Sequence, residues 1–235
     1  RRIPGQDEQH AERQGCPGQP RPPGTLVWLH AASVGESMSV LPLVERLRRR
    51  GLAVLLTTGT VTSARLLEGR LPVGAAHQYL PVDRMVYVRA FLDHWRPDLV
   101  LWTESDFWPN MLIEARRRGL GLVLVQGRIS PRSFARWRRL PGFIGGMLAG
   151  FDLCLAQTEA DAGRLRSLGA RHVACVGNLK HAAPPLPAEA ADLERLRAAV
   201  AGRPIWLAAS THPGEESIIA RVHLRLTASI PDLLT

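Results

Sequence analysis

Hydroxylic, acidic and basic side chains gather at the ends of successive apolar runs in this 235-residue sequence. Ser33-Val34-Gly35-Glu36 follows the first run, Thr57-Thr58-Gly59-Thr60 the second, Thr103-Glu104-Ser105-Asp106 the fourth and Gln126-Gly127-Arg128-Ile129-Ser130 the fifth. Further on stand Gly177-Asn178-Leu179-Lys180 and Ser210-Thr211-His212-Pro213-Gly214-Glu215-Glu216. A carboxylate so placed can abstract a proton, and Arg or Lys beside helix N-termini can hold a phosphate without a metal. Together the strings describe a polar cleft rather than ordinary loop chemistry. Each also has a purely structural reading. Ser33 and Glu36 have the spacing of a capping box, and Thr57 and Thr58 could finish a strand and cap the next helix. Asp106 could cap a helix that Pro109 opens, and His212-Pro213-Gly214-Glu215 could start another. On these residues alone both readings stand.

What must position these groups is an alternation of short apolar runs with longer helical patterns. Leu26–Ala31 reads as a buried strand; Val40, Leu43, Val44 and Leu47 then recur at helical spacing before Gly51. Further strands are predicted at Ala53–Thr57, around Gln78–Leu80, and at Leu99–Trp102, Leu122–Gln126, Leu153–Ala156 and Val173–Val176. Helices separate them over Val61–Leu71, Met85–Trp95, Pro109–Arg118 and Glu159–Leu168, with basic and apolar helical pieces in residues 131–150. Uninterrupted apolar strands divided by helices indicate an α/β fold, a Rossmann-like doubly wound parallel sheet whose ligands lie outside the strands' carboxyl ends.

Residues 1–24 read as a polar arm and residues 25–180 as the main domain. Residues 181–204 read as a linker and helix, around the Pro-rich Lys180–Pro187, and residues 205–235 as the start of a second domain with a strand at Ile205–Ala209 and a helix at His212–Arg225. One strand and one or two helices cannot close a core of their own. The chain is therefore expected to be a piece of a longer protein.

Composition narrows the classes. Hydrophobic residues make up 46% and charged residues 22%, which excludes wholesale disorder. No apolar run is long enough to span a bilayer, and the opening is no signal peptide. Cys16, Cys154 and Cys175 show no pairing or metal-ligand spacing, so neither a disulfide framework nor a metal site is expected. The net charge of +9 favours anionic partners, but no nucleic-acid motif accompanies it and nucleic acid is not expected as a partner. Arg116–Arg118 and Arg132, Arg136, Arg138 and Arg139, interleaved with Phe134, Trp137 and Leu140, could form one surface for an anionic membrane.

The runs WLHAASVGES, TTGT, LPVD, WPN, QGRIS-PRS, GNLK and ASTHPGEE resemble, in order and spacing, the 3-deoxy-D-manno-octulosonic acid (Kdo) transferase family of Gram-negative bacteria. The resemblance runs from about Arg1 to Leu226. It implies the GT-B arrangement of two facing Rossmann-like halves, this chain holding the N-terminal half and the start of the second domain. It also implies transfer of Kdo from CMP-Kdo to a phosphorylated tetraacyl lipid A precursor at the cytoplasmic face of the inner membrane. CMP-Kdo is then the donor substrate, and no cofactor or metal is needed. Glu36 matches the family's general base. Ser33, Gly35, Thr57, Thr58, Thr60, Glu104, Asp106, Arg128 and Ser130 fall on the acceptor side of the cleft. Asn178, Lys180, Ser210, Thr211, His212 and Glu215 fall on the donor side. Two departures stand out: Asp106 replaces the usual second Glu, and Gln126 replaces an Asn. The family's N-terminal anchor and most of its nucleotide half are missing from this chain, so the resemblance implies an inactive fragment. Alternatives of the same architecture are another GT-B glycosyltransferase or a sugar-nucleotide epimerase; a non-catalytic remnant binding anionic lipid is an alternative of another class.

Overall fold

The computed structural model describes residues 6–182 and 188–235 and divides the chain into two compact units, Arg1–Ala183 and Pro184–Thr235. In the first unit the elements run α1 (Gln6–Arg13), β1 (Leu26–His30), α2 (Val34–Arg49), β2 (Ala53–Thr58), α3 (Val61–Leu67), β3 (Ala75–Tyr79), α4 (Met85–Trp95), β4 (Leu99–Thr103) and α5 (Pro109–Arg117). They continue through β5 (Gly121–Gly127), α6 (Pro131–Trp137), α7 (Pro141–Leu148), β6 (Leu153–Ala156), α8 (Glu159–Ser167) and β7 (Val173–Cys175) to a 3₁₀ turn, Leu179–Ala182. The strands form one sheet in the order β3-β2-β1-β4-β5-β6-β7, every pairing parallel. The order reverses between β1 and β4. In open α/β sheets the crevice outside the carboxyl ends at that reversal is where ligands bind.

The strands are mostly apolar because both faces are covered, with polar residues in the edge strand β3 and at the strands' carboxyl ends. Leu26 and Trp28 of β1 belong to a core shared with Val88, Phe91 and Trp95 of α4 and Met111 and Leu112 of α5. Val27 and Leu29, pointing the other way, pack with Val40 and Val44 of α2 and Leu67 of α3. Trp28 anchors the first core, its ring 4.9 Å from Phe91 and 5.6 Å from Trp102. Chain reversals fall where glycine is required: Gly51, Gly119 and Gly169 have positive φ at the helix-to-strand turns.

From Gln6 on, the segment expected as a polar arm is bonded to the main domain. The Tyr79 N–H donates to Glu12 Oε2 at 2.8 Å, Arg13 donates to the Gly59 carbonyl at 2.9 Å, and Arg21 donates to the Trp95 carbonyl at 2.8 Å. Polar side chains here satisfy backbone groups at the edge of the sheet, work that composition alone does not reveal.

The second unit contains α9 (Ala190–Val200) and α10 (Glu215–Leu226), neither with a buried residue. The strand expected at Ile205–Ala209 does not form; Ile205 and Leu234 make a single parallel bridge. A strand needs a continuous partner ladder, and here Leu234 alone exchanges backbone bonds, with Trp206 and Pro204, among the described residues. An apolar hollow of about 810 Å³ is lined by Leu207, Ile219, Leu224 and Leu233 among others, and Leu207 is 84% exposed. The Pro-rich stretch expected as a linker lies, at residues 183–187, outside the described residues. No helix among the described residues is long and apolar enough to cross a membrane.

Candidate active site

The turn from β1 into α2 brings Glu36 to the crevice. Ser33 is the extended N-cap of α2: the Glu36 N–H donates to Ser33 Oγ at 3.3 Å and the Ser33 hydroxyl donates back to Glu36 Oε1 at 2.7 Å. Glu36 Oε2 accepts from the Ala32 N–H at 3.0 Å and from the Thr103 hydroxyl at 2.9 Å. Ser33 thus caps the helix, but the Glu36 carboxylate takes the Ala32 N–H rather than the N–H of Ser33 that a capping box uses, and a cap does not explain the hydroxyl that reaches in from β4. Glu36 is 9% exposed and lines a polar pocket of about 330 Å³ with Ala32, Glu104, Ser105 and Asp106. The loops after β1 and β4, the two strands at the reversal, build this pocket.

The two acids after β4 are driven apart. Glu104 sits in the left-handed region at φ 53°, held by its N–H to the Val125 carbonyl at 3.0 Å. Such a backbone is unusual for a non-glycine residue and aims the side chain where a regular strand end would not. Burial raises its pKa and the charge of Glu36 adds to this, against the smaller pull of Lys180 and Arg128. Asp106 goes the other way: burial opposes ionisation, but hydrogen bonds from His30 and Trp108 outweigh it, leaving the pKa below the usual carboxylate value. Oppositely displaced carboxyl groups in one pocket provide a group inclined to hold a proton beside one inclined to stay charged.

Asp106 owes its position to a buried relay. The Trp28 indole donates to Thr57 Oγ1 at 2.9 Å, Thr57 Oγ1 lies 3.0 Å from His30 Nδ1, and His30 Nε2 lies 3.5 Å from Asp106 Oδ2. The Trp108 indole donates to Asp106 Oδ2 at 2.9 Å, and that of Trp102 to the Asp106 carbonyl at 2.7 Å. Asp106 does not cap α5 as its spacing allowed. Asp83 does, its carboxylate accepting from the N–H groups of Asn110 and Met111 at 3.0 and 2.9 Å. The cap comes from a segment 27 residues away in sequence, beyond the reach of local pattern reading.

The remaining expected residues are distributed as follows. Thr57 is a core hydroxyl within the relay; Thr58 is buried beside His77 Nε2 at 2.9 Å; Thr60 caps α3 by accepting from the Ser63 N–H. Ser130 caps α6 in the same manner, and Arg128 is exposed. Asn178 and Lys180 lie at the 3₁₀ turn, where the Asn178 side chain accepts from the Lys180 N–H at 2.9 Å. Ser210, Thr211, His212 and Glu215 belong to the second unit: Ser210 has φ 58°, Thr211 donates to Glu216 at 2.7 Å, and the His212 N–H donates to Glu215 at 2.9 Å. Gly35 has no positive φ, and a Cβ added there would meet only Lys180 Nζ, at an ordinary 3.9 Å. Gly35→Ala is therefore expected to leave stability unchanged or raise it by up to about 1 kcal/mol, since Gly in a helix is unfavourable; a melting curve checks this.

Thr103 and Gln126 stand in the strand-end strings but were given no place in the site, and His30 was passed over. Gln126 is buried at φ 58°, and its Oε1 accepts the Leu179 N–H at 2.9 Å, fastening the 3₁₀ turn to β5. The available signal was a polar residue closing an otherwise apolar strand. Among the described residues no group of three or more His, Cys, Asp or Glu could hold a metal ion.

Residues 8–183 match the family model described as 3-Deoxy-D-manno-octulosonic-acid transferase (kdotransferase). A 3-deoxy-D-manno-octulosonic acid transferase of Rickettsia bellii is 36% identical over 209 residues, 88% of this chain and 50% of that protein. A probable mitochondrial one of Arabidopsis thaliana is 33% identical over 230 residues, 94% of this chain and 52% of that protein. The chain thus spans about half the length of these relatives. Among solved structures, the UDP-GlcNAc 2-epimerase of Neisseria meningitidis bound to UDP-GlcNAc superposes with a TM-score of 0.56 at 13% identity, over 89% of this chain and 64% of that one. That likeness carries the fold alone, the doubly wound sheet that GT-B glycosyltransferases and such epimerases share.

Proposed function

The chain belongs to the 3-deoxy-D-manno-octulosonic acid transferase family, and from that premise we propose that it forms the acceptor side of a glycosyltransferase moving Kdo from CMP-Kdo to a phosphorylated tetraacyl lipid A precursor. The observation that carries the reading is the buried, hydrogen-bonded Glu36 carboxylate at the β1/β4 reversal, lining one pocket with Glu104 and Asp106. Glu36 takes the proton of the acceptor hydroxyl as the new C–O bond forms at the anomeric carbon. The bond from that carbon to the phosphate oxygen breaks and CMP leaves with the electron pair. Lys180 and Arg128, the cations whose charges act on Glu104, are available to the anionic groups that gather there. The test is a transfer assay on a protein carrying this chain with the half that matches the remainder of the relatives. Kdo appearing on a phosphorylated acyl-disaccharide, dependent on CMP-Kdo, is the expected result. Epimerisation of a UDP-sugar with no transfer would favour the epimerase reading instead.

A lipid acceptor calls for work at the cytoplasmic face of the inner membrane, and the α6–α7 surface supports this. Arg116, Arg117 and Arg118, expected to join that surface, instead pair with Asp152, Glu114 and Asp93. What is left is Arg132, Arg136, Arg138 and Arg139 with Leu140 at 57% and Phe143 at 46% exposure. Binding to anionic vesicles, absent with neutral ones and weakening as salt rises, is the expected outcome of co-sedimentation. Arg136→Glu with Arg139→Glu should lower it by at least roughly thirtyfold, because two basic residues at about 1 kcal/mol each are lost and the new carboxylates repel the anionic surface.

A further inference from the structure

Thr103 has one hydroxyl proton and two acceptors. Its Oγ1 lies 2.8 Å from the His30 carbonyl oxygen and 2.9 Å from Glu36 Oε2, and the residue is 1% exposed. A hydroxyl carries a single hydrogen, so it can be committed to only one of these oxygens at a time. Which one receives it depends on the charge of Glu36. An ionised carboxylate attracts a hydrogen bond about twice as strongly as a neutral carbonyl, so the proton goes to Oε2 when Glu36 is charged. Once Glu36 is protonated that advantage disappears, and the His30 carbonyl is the acceptor that remains for the hydroxyl.

We propose that Thr103 is a positioning residue for the proton transfer, a buried rotor whose hydroxyl turns toward Glu36 when that carboxyl is charged and toward the His30 carbonyl when it has accepted a proton. The proposal rests on the reading of Glu36 as the base. The count of hydrogen bonds gives it a place in that step. A carboxylate offers about four lone-pair positions; the Ala32 N–H and Thr103 hydroxyl occupy Oε2, and the Ser33 hydroxyl occupies one position on Oε1. The incoming proton bonds to the remaining position on Oε1, leaving the acceptor oxygen with the electron pair of its broken O–H bond. Thr103 then releases Oε2 without leaving either its own proton or the His30 carbonyl unsatisfied. The charged state gains a bond that the protonated state does not need, so Thr103 specifically favours the form of Glu36 that acts as base.

Glu104 and Asp106 share the Glu36 pocket, Lys180 and Arg128 act on Glu104, and the His30 ring bonds Asp106. All are unchanged in variants at position 103, so a comparison among those variants isolates the hydroxyl. The Glu36 carboxyl carbon is followed by NMR against pH in this chain, in Thr103→Val and in Thr103→Ser, with Thr103→Ala as a second hydroxyl-free variant should valine disturb the fold. Loss of the hydroxyl is expected to raise the Glu36 midpoint by about one pH unit, while serine leaves it within about 0.3 unit of the parent. An unmoved midpoint in a folded valine or alanine variant overturns the proposal, as does a serine variant that shifts as far as valine. The base reading fails separately: transfer surviving in Glu36→Gln would remove it whatever the titration shows. A dead Glu36→Gln protein with an unmoved Thr103→Val midpoint would remove only the rotor.

Discussion

Glu36→Gln, in a protein that joins this chain to a nucleotide-sugar half, is expected to transfer Kdo roughly 10²–10⁴ times more slowly while melting within a few degrees of its parent. The substitution keeps the shape of the side chain. Its amide oxygen can still accept from the Ala32 N–H and the Thr103 hydroxyl, and the Ser33 hydroxyl can turn to accept from the new NH₂ group. The α2 cap thus loses about 1 kcal/mol at most. What disappears is the capacity to take a proton. Parallel measurement of transfer rate and melting temperature separates the two roles, because a cap acts on the second quantity and a base on the first. An unchanged rate would reject the catalytic role.

The fold was legible because its strongest signals are local. Strands such as Leu26–His30 and Leu153–Ala156 are unbroken apolar runs, and Met85–Trp95 carries helical spacing from end to end. A parallel sheet covered on both faces produces such runs, so the pattern and its physical cause coincide. The misreadings came from non-local pairing. Ile205–Ala209 has the composition of a strand but only a single bridge to Leu234, and composition does not supply a neighbour. The polar opening read as an arm because its bonds to Tyr79, Gly59 and Trp95 join residues far apart in sequence.

The pocket was legible to the same degree. Glu36, Glu104 and Asp106 were singled out by their strand-end strings and by the resemblance, and they line one pocket because residues that end strands on either side of the sheet reversal converge by topology. His30 was missed, and Thr103 and Gln126 were seen without a role, because each is the last polar residue of a buried strand and its use depends on what the neighbouring loops present. Thr57, Thr58, Thr60 and Ser130 share the composition of cleft residues, yet in the structure they serve the core or cap helices. Hydroxyl groups do both kinds of work at strand ends, and only the partner atoms tell them apart.

Those partner atoms give α5 the largest expected effect on stability. The Glu114 carboxylate is buried, and Arg117 donates to both of its oxygens at 2.9 Å while Arg118 donates to Oε1 at 3.1 Å. Arg118 also reaches Asp93 of α4 at 2.7 Å, so the cluster joins two helices. Hydrogen bonds from Arg117 hold the Glu114 carboxyl down to about 2 despite burial, with Arg118 adding to the effect. Removing the carboxylate and removing its partners are then unequal changes. Glu114→Gln leaves arginines that can turn to water, and should cost about 2 kcal/mol through lost charge-assisted bonds. Arg117→Ala with Arg118→Ala leaves that carboxylate, among the described residues, with the more distant Arg89, 3.7 Å away, and should lower the melting temperature further than Glu114→Gln does. The pH dependence carries a sign as well. A carboxyl depressed by folding stabilises the native state above its unfolded value, near 4.3. That contribution falls as the pH drops from there toward 2. Acid unfolding of the parent should therefore be steeper between about pH 4.5 and 2 than that of Glu114→Gln. Equal slopes, or a carboxylate variant less stable than the arginine pair, would show that the buried charge is not what makes α5 sensitive.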